Sequence, residues 1–230
     1  MLISFILPTL NEEGSVESVI NGIYKNTKNY NIEILVIDSG TDKTAMIAER
    51  LGATIYKVKF NGYGNQVRYG FKKAIGDIVI ISDCDGTYSM DYLPNLINTI
   101  IYLNYDLVIG NRFAQGVKNI PLSNYLANKF FSILIFLIYK ARVSDITTGF
   151  KACRRTFIED NIWLSDCELP AEMIINATIG KYRMVEIPIS YRERIAGESK
   201  LKKYSMGLKY ILFILKNRNR GSNPIEKTNR

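Results

Sequence analysis

The chain has 230 residues, 47% of them hydrophobic and 23% charged, with 30 Lys and Arg against 22 Asp and Glu. Such a composition buries a substantial core in one main domain and, with no internal repeat or low-complexity tract, excludes a disordered scaffold and a solenoid. The absence of histidine, with three cysteines at 84, 153 and 167, excludes a zinc-ligand spacing, a disulfide framework and a Ser-His-Asp or Cys-His nucleophile.

The positive charge is uneven. Residues 1–177 carry 17 basic against 18 acidic side chains, and residues 178–230 carry 13 against 4. A basic, aromatic-containing tail suits nucleic acid, an anionic membrane surface or a phosphorylated substrate, and equally a solvated face. Reduced thiols are expected, hence a cytosolic chain. The N-terminus lacks a basic leader and runs directly into Pro8, which predicts a first strand rather than a signal peptide.

Apolar runs of strand length at 2–7, 32–37, 54–58, 77–82 and 106–109 alternate with helical spacing at 14–28, 43–52, 64–75 and 91–103. This predicts an α/β fold with a central, mostly parallel sheet flanked by helices. Right-handed crossovers place the C-terminal ends of these strands on one edge, where ligands of open α/β sheets bind. That edge gathers Asn11 and Glu12, then Asp38, then Asp83 and Asp85, then Arg112. Asp83-Cys84-Asp85 ends a buried apolar strand, and carboxylates resist such a position unless paired or metal-bound, so a metal–diphosphate site is expected there; a solvated turn is the alternative. A dinucleotide-binding fold would need Gly-x-Gly-x-x-Gly after the first strand, where Pro8-Thr9-Leu10-Asn11-Glu12-Glu13 stands instead.

Past residue 113 the alternation breaks. Leu122–Tyr139 has a second half apolar almost all round, too short to span a bilayer of about 20 residues, and is expected to be either a buried core helix or a helix at a membrane interface. Tyr204–Leu215 lies between basic clusters and suits an anionic headgroup layer or a docked terminal helix.

In this order the motifs resemble those of family 2 glycosyltransferases, and among them the dolichyl-phosphate mannose or glucose synthases. The resemblance spans about residues 3 to 203: Leu7-Pro8-Thr9-Leu10-Asn11-Glu12, Val36-Ile37-Asp38-Ser39-Gly40-Thr41-Asp42, Gly62-Tyr63-Gly64, Asp83-Cys84-Asp85-Gly86-Thr87, Gly110-Asn111-Arg112-Phe113, Ser144-Asp145-Ile146-Thr147-Thr148-Gly149-Phe150, Glu186-Ile187-Pro188-Ile189-Ser190-Tyr191 and Arg194-Ile195-Ala196-Gly197-Glu198-Ser199-Lys200-Leu201. The last of these resembles polyprenyl-phosphate sugar synthases more than chitin, cellulose or capsule transferases. The chain departs from the pattern in a second motif one residue short, in Gly62-Tyr63-Gly64 where relatives often have Gly-Lys-Gly, in Leu10, and in Thr87 at a third metal-facing position.

The resemblance implies a GT-A type nucleotide-sugar-binding fold: a catalytic domain over 1–203, divided into a nucleotide half (1–112) and an acceptor half (113–203), a basic and apolar interfacial helix over 204–217, and a polar tail over 218–230. It implies an inverting transfer of mannose, or next glucose, from GDP-mannose or UDP-glucose to dolichyl or polyprenyl phosphate, with Mg2+ or Mn2+. Asp83 and Asp85 would hold the metal; Pro8, Leu10, Glu12, Asp38, Asp83 and Cys84 would meet the nucleotide; Arg112, Arg194, Ser199 and Lys200 would meet phosphate. Asp83, Asp85, Arg112, Asp145 and Arg194 form the implied catalytic set. A lipid monophosphate, with a second pKa of about 6, needs no base to become nucleophilic, so Asp145 is expected to orient an arginine or contact the sugar. Glu172 is expected to contact a sugar or arginine or to be solvated, and Arg154 with Arg155 to form a solvated face. The implied location is peripheral, on the cytosolic face of a membrane, with a membrane-protein partner as a further option and no nucleic acid. The alternatives are a hydroxyl acceptor, with Asp145 as general base, a nucleotidyltransferase, and a non-catalytic binding module.

Overall fold

A computed structural model describes residues 1–59, 62–117, 119–194 and 203–218. Ser199 and Lys200, two of the expected phosphate contacts, and the tail from residue 219 lie outside the described residues. The first half alternates strand and helix as expected: β1 (Leu2–Thr9), α1 (Val16–Asn26), β2 (Asn31–Asp38), α2 (Thr44–Arg50), β3 (Thr54–Lys57), α3 (Tyr63–Lys73), β4 (Ile78–Ile81), a 3₁₀ turn at Met90–Tyr92, α4 (Leu93–Tyr102) and β5 (Leu107–Asn111). The second half adds α5 (Leu122–Tyr139), β6 (Lys151–Arg154), α6 (Arg155–Glu159), α7 (Leu169–Ile179), β7 (Met184–Pro188) and α8 (Lys203–Lys216).

These strands form one sheet in the order β3-β2-β1-β4-β6-β5-β7. All neighbours run parallel except β6, which pairs antiparallel with β4 on one side and β5 on the other. Strands buried on both faces read as unbroken apolar runs, and β1 and β4 show why. Ile3, Phe5, Leu7, Ile78 and Ile80 pack under α1, α2 and α4, whereas Ile6, Val79 and Ile81 pack on the opposite face with α3, α5, α7 and α8.

β6 has no such run. Lys151-Ala152-Cys153-Arg154 reads as neither a strand nor a core segment, yet Lys151 is only 1% exposed. The Arg154–Arg155 pair is likewise not a solvated face. Arg154 donates to the carbonyls of Ile100 and Tyr105, and Arg155 to those of Gly76 and Ala74, so the two side chains tie loop ends to the base of the sheet.

α5 also departs from the buried-helix alternative. Asn128, Phe131 and Ile135 face inward, whereas Leu122, Leu126, Phe130, Ile133 and Leu137 are each at least half exposed. Taken whole, its 18 residues meet the length and composition of a membrane-crossing helix, with only 17% of it buried; the ten-residue apolar half considered alone had suggested otherwise. α8 packs on it through Tyr210, whose ring stacks on Phe131, and Ile214, and leaves Leu208, Leu212 and Leu215 exposed. The terminal helix is therefore docked on the domain and still presents an apolar outer side.

Candidate active site

The C-terminal sheet edge collects the expected carboxylates, each in a different setting. Asp38, at the end of β2, is fully buried. Its oxygens accept from Thr9 Oγ1 (2.9 Å), Gly40 N (3.0 Å) and Lys57 Nζ (2.5 Å). Lys57 ends β3 and went unnoticed in the sequence, although the rule that gathered the other edge residues covers it. The shortened second motif is closed from across the edge: Asn11, held at φ +59°, accepts at Oδ1 from Thr41 N and Asp42 N. Asparagine tolerates this left-handed conformation better than most residues.

Pro8 is a buried strand residue paired in register with Ile37, and Leu10 is half-buried just past the strand end. Cys84 turns inward. Its thiol is 2% exposed within the apolar cluster of Val16 and Met90, burial raises its pKa well above the ordinary thiol value, and its carbonyl accepts from Ser15 Oγ at 2.6 Å. A nucleotide could meet only its main chain.

Asp83 and Asp85 lie on the loop after β4. Burial, then the neighbouring Asp85 charge, raises the Asp83 pKa to about 7. The Asp83 carboxylate lies over Gly149, where a Cβ would stand 2.7 Å from Oδ1 and 2.8 Å from Oδ2, so only glycine leaves room for it. Asp85 is aimed by Thr87, whose N and Oγ1 donate to its Oδ1 at 3.0 and 2.6 Å. Thr87 thus orients Asp85. A carboxylate whose ionisation is opposed by burial and by its neighbour's charge, as Asp83 is beside Asp85, fits a cation, since a divalent ion takes oxygen ligands and leaves positions for phosphate. Among the described residues no cluster of three or more His, Cys, Asp or Glu side chains forms.

Two arginines complete the edge. Arg112, just past β5, is gripped by Asp145: Nε donates to Oδ2 at 2.8 Å, Nη2 to Oδ1 at 2.7 Å, and its main-chain N to Oδ2 at 3.0 Å. Nη2 also donates to Thr147 Oγ1 at 2.8 Å. Burial opposes the guanidinium charge, but Tyr88 and Asp145 outweigh it and hold the arginine firmly protonated. Arg194, beyond β7, reaches Asp85 Oδ2 at 2.8 Å and Glu12 Oε1 at 3.3 Å. Beside Arg112 opens a cavity of about 180 Å³ lined in part by Gln115, Asn119, Ser190 and Tyr191.

Several participants were not legible in the sequence. Lys151 pairs with Ile81 of β4 and Ile109 of β5, directly below the strand ends that carry Asp83 and Arg112. Burial lowers its pKa to about 7, against the opposing pull of Asp145 and Asp83. Tyr88 accepts from Gly149 N at 2.9 Å and stacks on Phe150, which fixes the glycine under Asp83. Glu172 is not solvated. Fully buried, it accepts from Ser165 N, Ser165 Oγ and Leu164 N, and so closes the loop that leads into its own helix. Gly62, at φ +122°, and Gly64 take up close packing against Asp166, which gives the Gly-Tyr-Gly motif a structural task.

A mostly parallel sheet flanked by helices, with an Asp-x-Asp pair on the edge of its N-terminal half, is the GT-A architecture of nucleotide-sugar-dependent glycosyltransferases. The chain belongs to glycosyl transferase family 2, which it matches over residues 4–162. It is 35% identical over 205 residues to a dolichyl-phosphate hexose transferase of Haloferax volcanii, covering 89% of each chain. It is 32% identical over 216 residues to a dolichol-phosphate mannosyltransferase of Pyrococcus furiosus, covering 88% of this chain and 60% of that one. Among solved structures, glucosyl-3-phosphoglycerate synthase from Mycobacterium tuberculosis, in complex with Mn2+, UDP-glucose and phosphoglyceric acid, superposes with a TM-score of 0.74 at 21% identity, over 97% of this chain and 81% of that chain. That likeness shows the shared fold.

Proposed function

We propose that this glycosyltransferase moves a hexose, mannose in preference to glucose, from a nucleoside-diphosphate sugar to a polyprenyl phosphate of the dolichyl type, with inversion at the anomeric carbon. The observation that carries the reading is the gathering on one edge of two neighbouring carboxylates and two arginines, while Asp145, the carboxylate weighed as a general base, is turned to Arg112 through both oxygens. A hydroxyl acceptor needs a base with a free oxygen lone pair facing it. Asp145 is 0% exposed, with both oxygens turned to Arg112 rather than to an open surface. A phosphate monoester supplies its own nucleophilic oxygen, and cations to hold it suffice. The names of the curated relatives point the same way.

In this reading Asp85 and Asp83 hold a divalent ion, Mg2+ or Mn2+, which when bound supplies Lewis-acid stabilisation to the leaving nucleoside diphosphate. Glu12 and the loop closed around Asp38 border the nucleoside. Arg112 presents the outer part of its fixed fork to the acceptor phosphate, and the adjoining cavity gives that phosphate a place to lie. Arg194, now paired with Asp85 and Glu12, is the second phosphate contact once the donor takes up its partners.

A lipid acceptor also accounts for the surface. The exposed apolar stripe of α5 and the outer side of α8 are bordered by Lys129, Lys140, Arg142, Lys209 and Lys216, a combination suited to an anionic cytosolic leaflet.

The test is transfer of radiolabelled sugar from GDP-mannose and UDP-glucose, run in parallel, to a short polyprenyl phosphate in detergent, with Mn2+ or EDTA. The expected result is a metal-dependent, acid-labile lipid product from one donor, reduced by about 10³-fold in Asp85→Ala, on the scale of losing a main electrostatic stabiliser. Metal-dependent nucleotide binding without any lipid product would move the acceptor to a hydroxyl compound.

A further inference from the structure

Asn128 lies on α5, 2% exposed, and the other buried residues of that helix, Phe131 and Ile135, are apolar. A buried amide is costly unless its donors and acceptor are satisfied, and here every bond recorded for the side chain goes to one short segment. Nδ2 donates to Ser144 O at 2.6 Å. Oδ1 accepts from Ile146 N at 2.9 Å, Thr147 N at 3.1 Å and Thr147 Oγ1 at 3.2 Å. From β7, Glu186 accepts from Ser144 N at 2.9 Å and Asp145 N at 2.8 Å. The clamped segment contains both side chains that hold Arg112, Asp145 and Thr147.

No other small residue satisfies this segment as well. An amide accepts from the 146 and 147 N–H groups while donating to the 144 carbonyl. Aspartate would keep the acceptor, lose the donor and bury a third carboxylate near Asp145 and Glu186; serine is too short to span the segment.

We propose that Asn128 is a positioning residue for the reaction: by fixing residues 144–147 it sets the direction of the Arg112 guanidinium. The inference rests on the acceptor-phosphate reading of Arg112 for its kinetic consequence, but not for its structural one. Misplacing a phosphate-orienting group by about 1 Å costs on the order of 10² in rate.

The experiment is a double-mutant cycle on the full chain, with Asn128→Ala and Arg112→Ala, read as kcat/KM for polyprenyl phosphate, beside calorimetry of nucleoside diphosphate with Mn2+. Asn128→Ala is expected to lower kcat/KM for the acceptor by about 10- to 100-fold and to leave nucleotide affinity within about twofold. In the Arg112→Ala background it should cost less than about threefold more, because residues acting through one group are non-additive. Full additivity overturns the proposal.

A readout independent of turnover is solvent exchange of the Arg112 Nε–H, assigned by its loss in Arg112→Lys. The proton should exchange at least about tenfold faster in Asn128→Ala, and an unchanged rate in a folded variant also overturns the proposal. If the alanine variant does not fold, Thr147→Val, which removes only the hydroxyl shared by Asn128 and Arg112, should move exchange in the same direction by a smaller factor. Should the wild type transfer no sugar to any prenyl phosphate, the function proposed above fails, and the exchange measurement still decides the role of Asn128.

Discussion

Two arginine–carboxylate pairs on the same sheet edge are built in opposite ways. Arg112 is 13% exposed and meets a 0% exposed Asp145 through a two-pronged fork, with the carboxylate taking the arginine's own main-chain N–H as well. Arg194 is 29% exposed and splits its guanidinium between two acids, with a single contact to each. The first pair is held by the fold from α5, β5 and β7; in the second, Thr87 aims Asp85, while the guanidinium meets each acid through a single contact. A group that must keep one direction through turnover is anchored by non-local bonds. A group that must exchange partners is given weak ones.

The largest expected effect comes from breaking the first pair. Asp145→Ala leaves a buried guanidinium without its counter-charge, and loss of one partner of such a pair costs about 3–5 kcal/mol. Urea unfolding should show this, with transfer lost as well. A loss below about 1 kcal/mol would mean that Arg112 finds water in the adjoining cavity and that the pair is not fixed by burial.

Next is Gly149→Ala, which leaves both pairs intact and disturbs what lies between them. Its Cβ would fall within 2.8 Å of both Asp83 oxygens, so either the carboxylate or the Thr148–Phe150 chain must shift. Because the Asp83 side chain is the softer of the two, the effect should fall on Mn2+ and nucleotide affinity, by about 10-fold or more, with a smaller effect on stability of about 1–3 kcal/mol. Equal loss of stability with unaltered metal affinity would place the strain in the chain instead.

A third effect comes from below the edge. Lys151 belongs to neither pair, and burial lowers its pKa from 10.5 to about 7. Between pH 7 and 10.5 the unfolded chain therefore holds a proton on this group that the folded chain has released. Stability contributed by this group accordingly rises with pH through that window and is least at and below pH 7. Measured against Lys151→Met between pH 7 and 9, the wild type should gain at most about 1.4 kcal/mol per pH unit. A flat difference would show that Asp83 and Asp145 keep the ammonium charged.

How much of this was legible in the sequence follows from where each residue finds its partners. β1, β2, β4 and β5 are buried on both faces and so appear as apolar runs; α1 and α3 appear by their spacing; and the edge rule then places Glu12, Asp38, Asp83, Asp85 and Arg112 without any contact information. β6 was missed because its four residues include a buried lysine and an arginine, Arg154, whose carbonyl acceptors lie up to 54 residues away. Asn128 gave no signal, since nothing local separates it from Asn124 on the same helix or reveals which segment it will meet. Glu172 misled because a carboxylate on a helix reads as surface, whereas this one satisfies three donors in the loop before it.

The smallest expected effect, Arg194→Ala, tests the second pair directly. The guanidinium is 29% exposed and makes one contact to each acid, an arrangement nearer a surface pair of about 0–1 kcal/mol than a buried fork, so unfolding should change far less than in the Asp145 variant. The consequence lies in binding. Arg194 Nη2 stands 2.8 Å from Asp85 Oδ2, and a cation entering there must displace it. Removing the guanidinium should therefore tighten Mn2+ binding in the absence of nucleotide, by no more than about fivefold given the small worth of the contact, while transfer to the lipid acceptor falls. Paramagnetic titration of free Mn2+ reads the first change and the transfer assay the second. If Mn2+ binding weakens instead, Arg194 holds Asp85 in place rather than competing for it, and the two pairs differ in degree of exposure only.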